Sequence, residues 1–136
     1  MSEASIILLS VVVGALSYLI VNFWMNPLLR YLDIKHAVTS DLVFYANVID
    51  PHFLNEEMQQ RRFERQKQNR RHAAELRAAY YRLPCWYKTV LRWRSENPVE
   101  ASRGLIGLSN ASEALPGDPF VTQIIRSLRI PDEVRE

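Results

Sequence analysis

Along the first thirty positions the apolar side chains follow no period. Residues Ala4 to Leu29 form a run of 26 without a charge, bracketed by Glu3 and Arg30. Ile6, Ile7, Leu8, Leu9, Val11, Val12 and Val13 open it, and Leu16, Leu19, Ile20, Val21, Phe23, Trp24 and Met25 close it. A helix that is apolar all round has no face to turn to water and belongs in a core or in lipid. A helix rising about 1.5 Å per residue needs about 20 residues to cross about 30 Å of hydrocarbon. This run is long enough. A cleaved signal peptide would want a basic start and a shorter apolar core. Here the start carries Glu3 and no Lys or Arg, and the run ends in bulky Phe23-Trp24-Met25. The pattern predicts an uncleaved membrane helix over 4–29 whose last turns lie at the interface. Asn26-Pro27 is expected to loosen the helix there, because proline removes a backbone donor.

Past Arg30 a helical period takes over. Ile34, Val38, Leu42, Tyr45 and Ile49 fall on one stripe, predicting a helix over 28–49. The β-branched and aromatic stretch 42–49 could also be a strand, but no second strand candidate exists to pair with it. Asp50-Pro51 stops this element. Asn55 is placed to cap the next helix, with Glu56 and Glu57 favouring its N-terminal dipole. That helix runs to Leu83. Its first half is polar nearly all round; its second half carries Ala73, Leu76, Ala79, Tyr80 and Leu83 on one side. Pro84 ends it. A short element follows over 85–95, with Trp86, Val90 and Trp93 on a shared face assigned to the core of a small domain. Asn97-Pro98-Val99-Glu100 reads as cap, first-turn proline and capping-box glutamate. The helix it opens carries Ala101, Leu105, Ile106 and Leu108. Gly104 and Gly107 weaken that helix unless a neighbour packs closely against them. A loop over 111–118 precedes Asp118-Pro119, a second cap-then-proline start, and the stripe Phe120, Ile124, Ile125 and Leu128. The fold class is therefore all-α: one N-terminal transmembrane helix and a small bundle of about four or five helices. The domain divisions are a short tail 1–3, the span 4–29, a helical domain 30–130, and an acidic tail 131–136 that frays.

Charge orients this arrangement. All 17 Lys and Arg lie beyond the span, and the positive-inside rule places that side in the cytoplasm. The expectation is a single-pass protein of the cell membrane, N-terminus outside and helical domain inside. Trp24 and Arg30 are its membrane-interface residues, since an indole and a basic group both suit the headgroup level. Ser10, Gly14 and Ser17 lie on one face of the span. Small residues let helices approach closely, which offers a packing face for a partner span or a second copy.

The net charge of +2 conceals an uneven distribution. Residues 55–95 carry eleven basic against four acidic groups, whereas 96–136 carry four basic against seven acidic. A basic middle beside a membrane attracts anionic headgroups or an acidic partner. The candidate contact residues are Arg61, Arg62, Arg65, Lys67, Arg70 and Arg71. The competing reading is a solvated face laced with pairs such as Arg61–Glu57 and Arg71–Glu75, and the acidic third section could also dock on it. Nucleic acid is the least favoured partner, because glutamates dilute the charge and aromatic interleaving is sparse.

Reaction chemistry is hard to find in this chain. No metal-ligand spacing links His36, His52 and His72, and no phosphate-binding loop, dinucleotide fingerprint or nucleophile elbow occurs. Neither a cofactor nor a metal is expected. Cys85 is the single cysteine, so no intramolecular disulfide forms, in keeping with a reducing compartment. It reads as a half-buried structural thiol. The functional expectation is a non-catalytic, membrane-anchored interaction module or accessory subunit presenting the basic helix over 55–83. Two alternatives stand beside it. One is a headgroup-modifying enzyme at the inner face using Asp33, Asp41 or His36; the other is a homo-oligomeric structural protein.

Overall fold

The computed structural model describes residues 2–44, 56–111 and 118–131. Among these residues there are five helices and no strand, which agrees with the all-α reading. The first helix, α1, is Glu3–Phe44, 42 residues without interruption and about 63 Å long at 1.5 Å per residue. It is followed by α2 (Glu56–Arg82), α3 (Cys85–Trp93), α4 (Pro98–Ser109) and α5 (Asp118–Leu128).

Ser2 caps α1 by accepting from the Ser5 amide. From Glu3 to Met25 every residue is exposed, so no part of the domain covers this apolar section. It is long and apolar enough to cross a membrane. Pro27 does not end the helix. The turn before it, Val21–Met25, widens to π geometry, with the Asn26 amide bonding to the Val21 carbonyl five residues back. The extra residue eases the clash between the proline ring and the carbonyl of the preceding turn. The expected loosening is thus a widened turn inside one continuous helix.

Beyond Pro27 the same helix enters the core. Tyr31, Ile34, Val38 and Leu42 are buried along one stripe, three of them at the positions the periodicity singled out. Tyr45, Ile49, Asn55, the loop at 112–117 and the tail at 132–136 lie outside the described residues. Opposite this stripe α2 buries Ala73, Leu76 and Ala79, and Leu83 follows just past its end. Helix α2 is central: it packs against α1 on one side and α4 on another, and α5 packs on α4. Leu105, Leu108, Ile124 and Leu128 complete the core.

The close approach of α4 and α5 depends on the two glycines. A Cβ on Gly107 would overlap the Phe120 ring, and one on Gly104 would lie 2.8 Å from Ile124 Cγ1. Asn97 caps α4 as expected, its Oδ1 accepting from the Glu100 amide at 3.1 Å. The reciprocal half of the capping box does not form. The Asn97 amide already donates to the Ser127 carbonyl at 2.8 Å, and the Glu100 carboxylate turns to Gln123 and Arg103.

Two expectations are corrected at α3. Trp93 is 88 % exposed and Trp86 is also largely exposed. The core side of this short helix is supplied by Leu91, with Tyr87 packed beside it. A nine-residue helix can bury one narrow stripe, and Leu91 rather than the indoles occupies it. Cys85 is exposed rather than half-buried, because it opens the helix just after the Pro84 corner.

Candidate interaction surfaces

Three features of the domain offer chemistry: one joins α1 to the corner between α3 and α4, one joins α2 to α4 and α1, and one lies between α1 and α2. The first is a buried carboxylate. Glu96 sits in the corner between α3 and α4, where its amide bonds to the Leu91 carbonyl and Ser95 takes φ 54°. Its Oε1 accepts from the Tyr31 hydroxyl at 2.5 Å and from Lys35 Nζ at 2.9 Å. The Glu96 side chain is 1 % exposed. Tyr31 also meets Tyr87 edge to face at 6.2 Å. Burial, followed by the hydrogen bond to Glu96 and that group's charge, pushes the Tyr31 hydroxyl far above its ordinary pKa. This hydroxyl is a fixed donor. The cluster ties the turn before α4 to α1 just beyond its apolar section.

The second feature is the inward stripe of the first half of α2. Arg62, Arg65, Asn69 and His72 recur at spacings of three and four and point toward the domain. Arg62 Nη2 donates to the Ala111 carbonyl at 3.0 Å. From a neighbouring position Arg70 donates to Ser109 Oγ and Asn110 Oδ1. Basic groups thus meet the carbonyl end of α4, where the helix dipole is negative. The docking of the third section on the basic one does occur, but through neutral acceptors. Asp41 Oδ2 lies 2.7 Å from His72 Nε2, joining α1 to α2. Arg65 is 2 % exposed, and all three guanidinium nitrogens lack a hydrogen-bond partner among the described residues. Burial, and secondarily the charge of Arg62, lowers its pKa. An uncompensated charge in the interior costs several kcal/mol.

The six basic candidates therefore divide. Arg62, Arg65 and Arg70 are engaged in or buried by the domain. Arg61 and Arg71 pair along the helix with Glu57 at 2.7 Å and Glu75 at 2.9 Å. Lys67 is exposed. The outward face of α2 carries Lys67 together with Phe63, which is 69 % exposed amid polar neighbours. Sequence reasoning passed over Phe63 because no apolar stripe accompanies it.

Of the candidate acid–base residues, Asp41 alone is paired with a histidine. Asp33 and His36 are exposed, and neither bonds to the Asp41–His72 pair. The second imidazole nitrogen of His72 is buried and has no hydrogen-bond partner among the described residues, so the ring is packed rather than offered to solvent. His52 lies outside the described residues. Among those described, no group of three or more His, Cys, Asp and Glu side chains could hold a metal ion.

The third feature is a groove of about 450 Å³ where α1 leaves its apolar section. Asn22, Phe23, Asn26, Pro27 and Arg30 of α1 form one wall, and Ala79 and Arg82 of α2 form the other. Asn22, Asn26 and Arg30 recur every four residues, the one signal in the sequence that could have pointed to it. Trp24 is exposed in the same turn. Within the apolar section Ser10 and Ser17 donate to carbonyls of their own helix, and a Cβ on Gly14 would meet nothing within 4 Å. The small-residue face is open.

The sequence matches no family model, and it is not significantly similar to any curated protein or solved structure.

Proposed function

We propose that the chain is a single-pass membrane protein whose helical domain stands against the cytoplasmic face of the cell membrane and serves as a non-catalytic interaction module or accessory subunit. One observation carries this reading. The apolar section and the first core helix are the same unbroken helix, Glu3–Phe44. No linker separates anchor from domain. Tyr31, the first buried residue of the stripe, comes two residues after the uncharged run ends. A domain held in this way keeps a fixed height and orientation at the bilayer, as a subunit docking on another membrane-bound protein needs. The partner face is the outward side of α2, where exposed Phe63 and Lys67 combine an apolar anchor with positive charge. Aromatic anchors ringed by polar groups are characteristic of binding hot spots, and the charge selects an acidic partner.

Two measurements test this. Cys85 is the single cysteine and is exposed, so a membrane-impermeant maleimide should label it only after the inner face is opened. Labelling on intact cells would overturn the topology. Photo-crosslinking residues placed at Phe63 or Lys67 should give the same discrete protein adduct in native membranes, lost on Lys67→Glu in the Phe63-labelled chain. Self-adducts alone would shift the assignment to a homo-oligomer, for which Gly14→Leu should then abolish association.

A further inference from the structure

The groove between the two halves of the domain's membrane-proximal edge has a specific chemistry. We propose that it binds the phosphate of an anionic glycerophospholipid, with Arg30 and Arg82 as the clamp. This inference rests on the membrane reading given above.

Depth is the first argument. The contact of Asp41 with His72 fixes an antiparallel register between α1 and α2, and Arg82 accordingly returns to the level of Arg30. Arg30 is the residue at which the uncharged run ends. In an inserted protein that level is the phosphate layer, where juxtamembrane basic groups meet the surface potential of anionic lipids. Trp24, six residues or about 9 Å before Arg30 along the helix, and exposed Trp86, just past the end of α2, suit the interfacial layer on either side of that level.

Charge is the second argument. Two guanidinium groups from different helices face one groove, and no carboxylate is among its lining residues. Neither guanidinium has a hydrogen bond or ion pair with the described residues, in contrast to Arg61 and Arg71, which are neutralised along their own helix. Guanidinium forks match phosphate oxygens in pairs. Polar groups flank the clamp: Asn22 Nδ2 donates to the Tyr18 carbonyl, and Asn26 Nδ2 donates to Asn22 Oδ1. This chain orients both amides, leaving Asn26 Oδ1 as an acceptor for a headgroup hydroxyl.

Shape is the third. The volume of about 450 Å³ falls in the ordinary range of ligand sites. Phe23 and Pro27 supply an apolar wall continuous with the exposed apolar side of α1, the path an acyl chain would follow. A free phosphate would use the arginines but not that wall.

The experiment is native mass spectrometry of the full-length protein in detergent, titrated with phosphatidylglycerol or phosphatidylcholine. The expected result is one preferentially retained phosphatidylglycerol. Arg30→Gln with Arg82→Gln should weaken retention about tenfold or more, whereas Arg61→Gln with Arg77→Gln should leave it unchanged. Equal loss in both pairs would mean diffuse surface charge and would overturn the groove. So would undiminished binding by the Arg30/Arg82 pair, or displacement of the lipid by millimolar inorganic phosphate, which would assign the clamp to a free anion. Carbonate-resistant association with neutral vesicles provides the separate check. If the unaltered chain is washed out, the membrane reading itself fails; if it stays inserted but shows no lipid preference, only the groove fails.

Discussion

Tyr31→Phe should destabilise the domain by about 2–3 kcal/mol, and the reasoning is local. The substitution keeps the ring, so the contact with Tyr87 survives and no large cavity opens. It removes one hydroxyl that is 0 % exposed and donates to a carboxylate buried in the same cluster. Hydrogen bonds to charged groups contribute about 1.5–3 kcal/mol net, and a buried acceptor that loses its donor keeps its desolvation cost. Lys35 remains on Glu96 Oε1, which holds the loss below the 3–5 kcal/mol expected when a buried charge loses its only partner. For a domain of this size the change corresponds to a fall in melting temperature of about 10–20 °C. Urea unfolding of the full-length chain in mild detergent, followed by circular dichroism, measures it. The pH profile provides a second readout. Because the folded-state pKa of Tyr31 is raised, its contribution is fully present below the unfolded-state pKa near 10 and is lost as pH climbs above it. The unfolded chain releases that proton first. The slope reaches about 1.4 kcal/mol per pH unit, and Tyr31→Phe should flatten it, with a remainder from Tyr87, whose pKa burial and then Glu96 also raise. A variant within 0.5 kcal/mol of the parent, with the same alkaline profile, would refute the claim that the Glu96 cluster secures the domain to α1.

Other substitutions probe the remaining packing. Arg65→Met should stabilise the domain by about 1–3 kcal/mol, since it replaces an unpartnered interior charge by an apolar chain of similar length; a lower unfolding midpoint would show that the guanidinium is compensated. Gly107→Ala should cost about 1–2 kcal/mol net, as displacement of the Phe120 ring outweighs the gain in helix propensity, and a rise in melting temperature would contradict the close approach of α4 and α5. Ser95→Gly and Arg129→Gly should each stabilise by about 0.5–1 kcal/mol. Both residues end helices in the left-handed region, at φ 54° and 53°, where a Cβ is unfavourable; chemical denaturation of the single and double variants should show additive gains.

The uncharged run of 26 residues determined by itself that α1 has a section long and apolar enough to cross a membrane, because length and the absence of charge are properties of the residues alone. Local chemistry likewise determined the Asn97 cap, the Asp118 start and the stripes Ile34–Val38–Leu42 and Ile124–Ile125–Leu128, because periodicity and capping act within one or two turns. What lay beyond a helical turn was decided by tertiary structure. Nothing in the order of residues marks Glu96 as interior: its two donors come from residues more than sixty positions earlier, brought there by the packing of α3 and α4 on α1. The basic run 61–71 looked like one surface, yet the rotation of α2 sent Arg62 and Arg65 inward and left Lys67 and Phe63 outside. The tryptophans of α3 were assigned inward by size, but a short helix has one stripe to bury and Leu91 took it. Composition limits which side chains can be buried; only the angle at which each helix meets its neighbours selects among them.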